Sequence, residues 1–125
     1  MKMYEIIDLS NLYMSIKDIK LPLKTTYKFS RLMRRAEQEM NFYSEEFGKI
    51  IETYAKRNED GNYCFSADGQ SIEIIEGKQA ECNMKINELR NLEIEINDIK
   101  FTINELECLN LSISELSCLM SLIED

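Results

Sequence analysis

Apolar residues recur through residues 22–57 at Phe29, Met33, Ala36, Met40, Tyr43, Phe47, Ile50 and Tyr54, in alternating steps of four and three. That alternation holds one stripe of a helix toward a partner, as in the seven-residue repeat of coiled coils. Leu32 and Ile51 widen the stripe. Arg34, Arg35, Glu37, Glu39, Glu45, Glu46, Glu52 and Lys56 fill the opposite, solvated side. The pattern predicts a long amphipathic helix over 22–57. Pro22 suits its first turn, where the missing N–H would have no intrahelical acceptor. The stretch from Arg57 to Asn62, with Gly61 inside it, is the stop signal.

The flanking segments carry shorter patterns. Leu9, Leu12, Tyr13, Ile16 and Ile19 predict a helix over 8–19 that Asp8 or Ser10 would cap, after a short edge strand in residues 1–6. Tyr63, Cys64 and Phe65 lie on one side of Asp68–Gly69, with Ile72, Ile74 and Ile75 on the other. The arrangement predicts a β-hairpin over 62–76. Cys82, Ile86 and Leu89 predict a helix over 78–91, returning antiparallel along the long one. Leu92, Ile94 and Ile96 alternate with polar residues, Asn97–Asp98 turns the chain, and Ile99, Phe101 and Ile103 alternate again. These are half-buried strand patterns across 93–101. Thr102 with Glu105, and Ser112 with Glu115, have the spacing of capping boxes and predict two short helices within 103–124. Together the elements predict an α+β fold, mainly α, in a single domain over 1–125. It comprises a long helical hairpin, a small antiparallel sheet and short C-terminal capped helices.

Length points to self-association. A helix of roughly 36 residues spans about 54 Å, whereas the 78–91 return covers only about 21 Å. Phe29, Met33, Met40, Tyr43, Phe47, Ile50 and Tyr54 would otherwise leave an apolar stripe in water, which is uncommon on a monomer. They are therefore the expected interface of a homo-oligomer.

Charge divides along the chain. Residues 1–58 carry 11 Lys and Arg against 8 Asp and Glu, a net of +3; the remainder carries 4 against 15, a net of −11. Lys24, Lys28, Arg31 and Arg35 step by four, three and four along one helical face. Such a row suits an anion, such as a nucleotide phosphate, or an acidic partner. The overall charge of −8 favours pairing with the acidic half and makes nucleic acid an unfavoured ligand. Glu73, Glu76, Glu81, Glu88, Glu93 and Glu95 form the acidic surface available to a basic protein partner.

Candidate chemistry is sparse. Histidine is absent, so the usual acid/base near neutral pH and the usual activator of a cysteine nucleophile are missing. Cys64, Cys82, Cys108 and Cys118 include no Cys-x-x-Cys pair and read as buried free thiols. No catalytic residue, metal or cofactor is expected, and the carboxylate pairs fall on solvated faces. No apolar run reaches membrane-spanning length and no signal peptide is expected, so the cytoplasm is the expected compartment.

The order of Leu21-Pro22-Leu23-Lys24, Glu59-Asp60-Gly61-Asn62, Ile103-Asn104-Glu105-Leu106 and Leu111-Ser112-Ile113-Ser114-Glu115-Leu116 resembles small hypothetical proteins of phages and prophages of low-GC Gram-positive bacteria. The resemblance implies a viral origin and a bacterial cytoplasmic setting, and brings no functional residues with it. The functional expectation is a phage-encoded, non-enzymatic binding protein that occupies a host protein surface, as an anti-CRISPR-like anti-defence inhibitor would. Alternatives are a virion structural or assembly protein and an oligomeric sequestering protein for an anionic nucleotide.

Overall fold

Met3, Ile6, Leu9, Leu12 and Ile16 share one side of a helix, and all are buried along α1 (Met3–Ile16). In the computed structural model, which describes residues 1–96 and 98–124, α1 is followed by α2 (Leu23–Tyr54), α3 (Gln79–Arg90), α4 (Ile103–Leu106) and α5 (Ile113–Ser117). Single 3-10 turns lie at Glu107–Leu109 and Met120–Leu122. The protein is mainly helical, and α1 and α2 pack together. Two compact units are present: Met1–Asn41 with Leu92–Asp125, and Phe42–Asn91.

The first unit holds most of the buried side chains. From α2 it takes Thr25, Phe29, Leu32 and Ala36. From the segment after α3 it takes Ile96, Ile99 and Phe101, and from the C-terminal turns Leu106, Leu109, Leu119 and Leu122. The Phe29 and Phe101 rings meet at a tilt, with centroids 4.6 Å apart. The covered line on α2 runs through Leu32, which is 0% exposed, and leaves Met33 half-buried. Of the expected stripe Phe29 and Ala36 are buried, and Leu32, expected to widen it, is covered more fully than Met33. A broad globular stripe follows the 3.6-residue turn, whereas a narrow two-helix seam follows 3.5.

α1 begins at Met3 instead of Asp8 and ends at Ile16, so residues 3–6 of the expected edge strand enter the helix, and only the extended Lys2 before it makes a bridge. Met1 and Lys2 pair with residues 92–94 through an antiparallel bridge, Lys2↔Glu93, where the Met3 N–H donates to the Leu92 carbonyl (2.9 Å) and the Met1 ammonium to the Ile94 carbonyl (3.0 Å). The start is satisfied by Glu5, whose carboxylate accepts the Lys2 N–H at 2.9 Å. The expected caps have other positions. Asp8 is exposed, and the Ser10 hydroxyl donates to the Ile6 carbonyl from within the helix.

The described residues of 93–101 alternate as expected in what they bury, but they form no continuous strand. Their pairing consists of isolated bridges, Lys2↔Glu93 and the parallel Phe101↔Ile123. Of the turn expected at Asn97–Asp98, Asn97 lies outside the described residues. Both capping boxes form. The Thr102 and Ser112 hydroxyls accept the N–H groups of Glu105 and Glu115, and each carboxylate accepts the N–H of its cap residue.

In the second unit α2 ends at Tyr54, short of the expected 57. The Lys56 N–H leaves the helical ladder and donates to the Glu73 carbonyl (2.8 Å). The Cys64 N–H in turn donates to the Lys56 carbonyl (3.0 Å), and the Glu73 N–H to the Cys64 carbonyl (2.8 Å). Three extended segments thereby close a triangle of hydrogen bonds, and the end of the helix supplies the third side of the expected two-stranded hairpin. The bridges Ala55↔Ile74, Arg57↔Tyr63 and Phe65↔Ile72 mark these pairings. Gly69 takes φ +72° in the turn between Phe65 and Ile72, a conformation that side-chain-bearing residues seldom adopt. α3 lies in this same unit, with Cys82 and Leu89 buried.

Candidate functional site

The basic row on α2 meets the acidic segment of its own chain. Lys28 donates from Nζ to Glu105 Oε1 and to the Lys100 carbonyl, both at 2.8 Å. Arg31 reaches Asp98 at 3.1 Å, and Arg35 donates to the Glu95 carbonyl at 2.9 Å and lies 3.6 Å from the Glu39 carboxylate. The helical spacing sets these side chains on one face, and the 95–105 segment passes across it. Lys24, the first of the row, is exposed and has no ion pair or hydrogen bond among the described residues.

Glu105 is the centre of this contact. Its Oε1 accepts from Lys28 and from both the N–H and the hydroxyl of Thr102, while Oε2 is buried without a hydrogen-bond partner. The Lys28 ammonium, and after it the Thr102 N–H, hold the carboxyl below the ordinary range. Lys28 also stands over the Phe101 ring, 5.8 Å from its centroid.

Beside the same row lies an open cleft of about 470 Å³, lined by Tyr27, Ser30, Arg31, Arg34, Arg35, Gln38, Asp98 and Ile99. Arg34 makes no ion pair or hydrogen bond among the described residues. Tyr27 is 62% exposed, with the Arg31 guanidinium 5.9 Å from its ring centroid. The sequence reading of the row missed Tyr27 and Gln38, and placed Arg34 only on the solvated side of the helix. With Arg31 they step by four, three and four, so helical spacing was the signal that would have found them.

The expected acidic surface is dispersed. Glu73 lies 3.9 Å from Lys56, Glu81 3.6 Å from Lys78, and Glu88 3.9 Å from Lys85, all in the second unit, where Glu76 is exposed. In the first unit Glu93 sits 3.9 Å from the Met1 amino group, and Glu95 offers its carbonyl to Arg35. The three lysine pairs are exposed on both sides and contribute little to stability.

The residues expected at an oligomer interface divide by position. Phe29 is buried, and Met33 and Met40 are half-buried in the first unit. Tyr43, Phe47, Ile50 and Tyr54 are all half-buried in the second, with the Tyr43 and Phe47 rings stacked at 5.8 Å. Phe29 is therefore unavailable to a partner, because Phe101 already covers it.

All four thiols are free. Cys82 is buried, Cys64 and Cys118 are half-buried, and Cys108 is exposed, which corrects the expectation that all were buried. Burial pushes the Cys82 thiol up. It does the same to Cys118, with Asp8 nearby adding to the effect, so neither favours the thiolate. Among the described residues no group of three or more Cys, Asp or Glu is arranged to hold a metal ion, and no helix is long and apolar enough to cross a membrane. Comparison with protein-family models, curated proteins and solved structures finds no match to this chain.

Proposed function

We propose that the protein is a non-enzymatic binding protein that acts by occupying the surface of another protein. The observation that carries this reading is the second unit's shortage of covered apolar surface. Among its residues only Ala55, Cys82 and Leu89 are buried, while Phe42, Phe65, Ile75 and Met84 are 43%, 56%, 42% and 60% exposed. Apolar surface held in water is costly at about 25 cal/mol per Å², and large side chains left open beside so small a core are available to a partner. The reading takes the ribbon around 55–75 as the small antiparallel sheet expected from the sequence. The resemblance to phage and prophage proteins makes a host protein of the bacterial cytoplasm, such as a defence component, the class of partner.

Phe65 and Met84 are exposed enough to be changed without disturbing a core. Immobilised wild-type protein is expected to retain a specific host protein that a Phe65→Glu/Met84→Glu double variant, folded by circular dichroism, does not. Equal retention by both would overturn the assignment of this surface.

A second reading is self-association, favoured by the half-covered Tyr43, Phe47, Ile50 and Tyr54 at heptad spacing. Sedimentation equilibrium at micromolar concentration is expected to give a mass above that of one chain, and a monomer mass at all concentrations would remove this reading.

A further inference from the structure

The cleft beside the α2 arginines has no part in the surface described above, and its chemistry is different. Three guanidinium groups border it, and they are not equally engaged. Arg35 is fixed by the Glu95 carbonyl and by Glu39, Arg31 is held by a single carboxylate, and Arg34 has no partner among the described residues. Asp98, which holds Arg31, is itself 66% exposed, so this pair is a surface one, readily exchanged. An arginine already bound to one carboxylate, next to a second with none, is half of an occupied anion site. Ser30 and Gln38 add neutral polar groups at the rim.

The geometry points to a binding site for a small phosphorylated ligand carrying a planar ring, of the nucleoside diphosphate class, with Asp98 standing in for its phosphate when the site is empty. Guanidinium forks match phosphate oxygens two at a time, which a lysine row cannot do. Tyr27 supplies the second half of the recognition. Its ring is open to solvent beside Arg31 and offers a stacking face to a base. A volume of about 470 Å³ lies within the usual range for small-molecule sites. The net charge of −8 opposes a long polyanion far more than a single phosphoryl group, which selects a nucleotide over a nucleic acid strand.

Asp98 makes the inference testable in a way that a purely structural role would not reproduce. Isothermal titration calorimetry at low ionic strength would use adenosine diphosphate, guanosine diphosphate, inorganic pyrophosphate and a single-stranded oligonucleotide. Saturable binding of at least one diphosphate is expected. Arg34→Ala is expected to weaken it about tenfold, the loss of one charge-assisted contact. Asp98→Asn should tighten it, because the internal competitor is gone. Tyr27→Ala should weaken nucleoside diphosphate and leave pyrophosphate unchanged. Absence of saturable binding to every diphosphate, an Asp98→Asn variant that binds no better than wild type, or stronger binding of the oligonucleotide would each overturn the proposal. All three substituted residues are solvent-exposed, so the variants are expected to fold, and circular dichroism checks that they do.

Discussion

Lys28 and Glu105 lie 77 positions apart in sequence and join through a 2.8 Å contact from Nζ to Oε1. The side chains are 25% and 15% exposed, so the pair is shielded more than any other α2 ion pair among the described residues. The same Oε1 caps α4, which ties the start of a local helix to a long-range contact. Lys28→Met is expected to destabilise the protein by about 1.5–3 kcal/mol, the range for a hydrogen bond to a charged group. Chemical denaturation measures it. A loss within error of zero would show that the contact is incidental.

The Glu105 carboxyl is depressed in the folded state, so its contribution is fully present above the ordinary carboxyl range and is lost as pH falls through the folded value. The melting temperature of wild type should therefore fall faster than that of Glu105→Gln as pH drops from about 5 toward 3. Parallel curves would refute the linkage, because the other carboxylates titrate in both proteins.

Phe101 is 0% exposed and faces Phe29 across 4.6 Å between ring centroids. Phe101→Ala is expected to cost about 3–5 kcal/mol, through lost apolar burial and the cavity left behind. Phe101→Leu keeps most of the volume and should cost less than half of that. Equal losses would mean that ring stacking, and not volume, governs the site.

What the sequence revealed and what it hid follow from the range of the forces involved. The capping boxes at Thr102 and Ser112 were legible because a cap is settled within four residues. The Cys82 and Leu89 helix was legible by its period. The end of α2 was not, because Lys56 leaves the helix for a carbonyl at Glu73, a choice made by distant residues. The first turn of α1 was missed for a similar reason: Met3 and Ile6 are buried by tertiary packing, and Glu5 caps from inside the helix. The basic row was visible as charge, but its engagement by Glu95, Asp98 and Glu105 required knowing which segment crosses it.

Asn110 is the single non-glycine residue with a left-handed backbone among the described residues, at φ 51° and ψ 52°, where the 3-10 turn after α4 ends. Asparagine tolerates this region better than other side chains, and glycine tolerates it best. Asn110→Gly is expected to be neutral within about 0.5 kcal/mol, and Asn110→Val to cost about 1–2 kcal/mol. A valine variant as stable as wild type would show that the turn relaxes to another conformation.

The register of α2 gives the sharpest test of the fold, because Leu32 and Met33 are sequence neighbours that a heptad reading and the structure rank oppositely. Leu32 is 0% exposed and lies in the covered line with Phe29 and Ala36, whereas Met33 is half-buried. Both truncations to alanine remove apolar atoms at equal helix propensity cost, so the difference between them reports burial alone. Leu32→Ala is expected to cost about 2–4 kcal/mol, and Met33→Ala about 1 kcal/mol or less. Urea denaturation of the two variants, with slopes checked against wild type, decides it. A larger loss at Met33 would restore the original seam, and with it the case that the first half of α2 faces a partner and not its own chain.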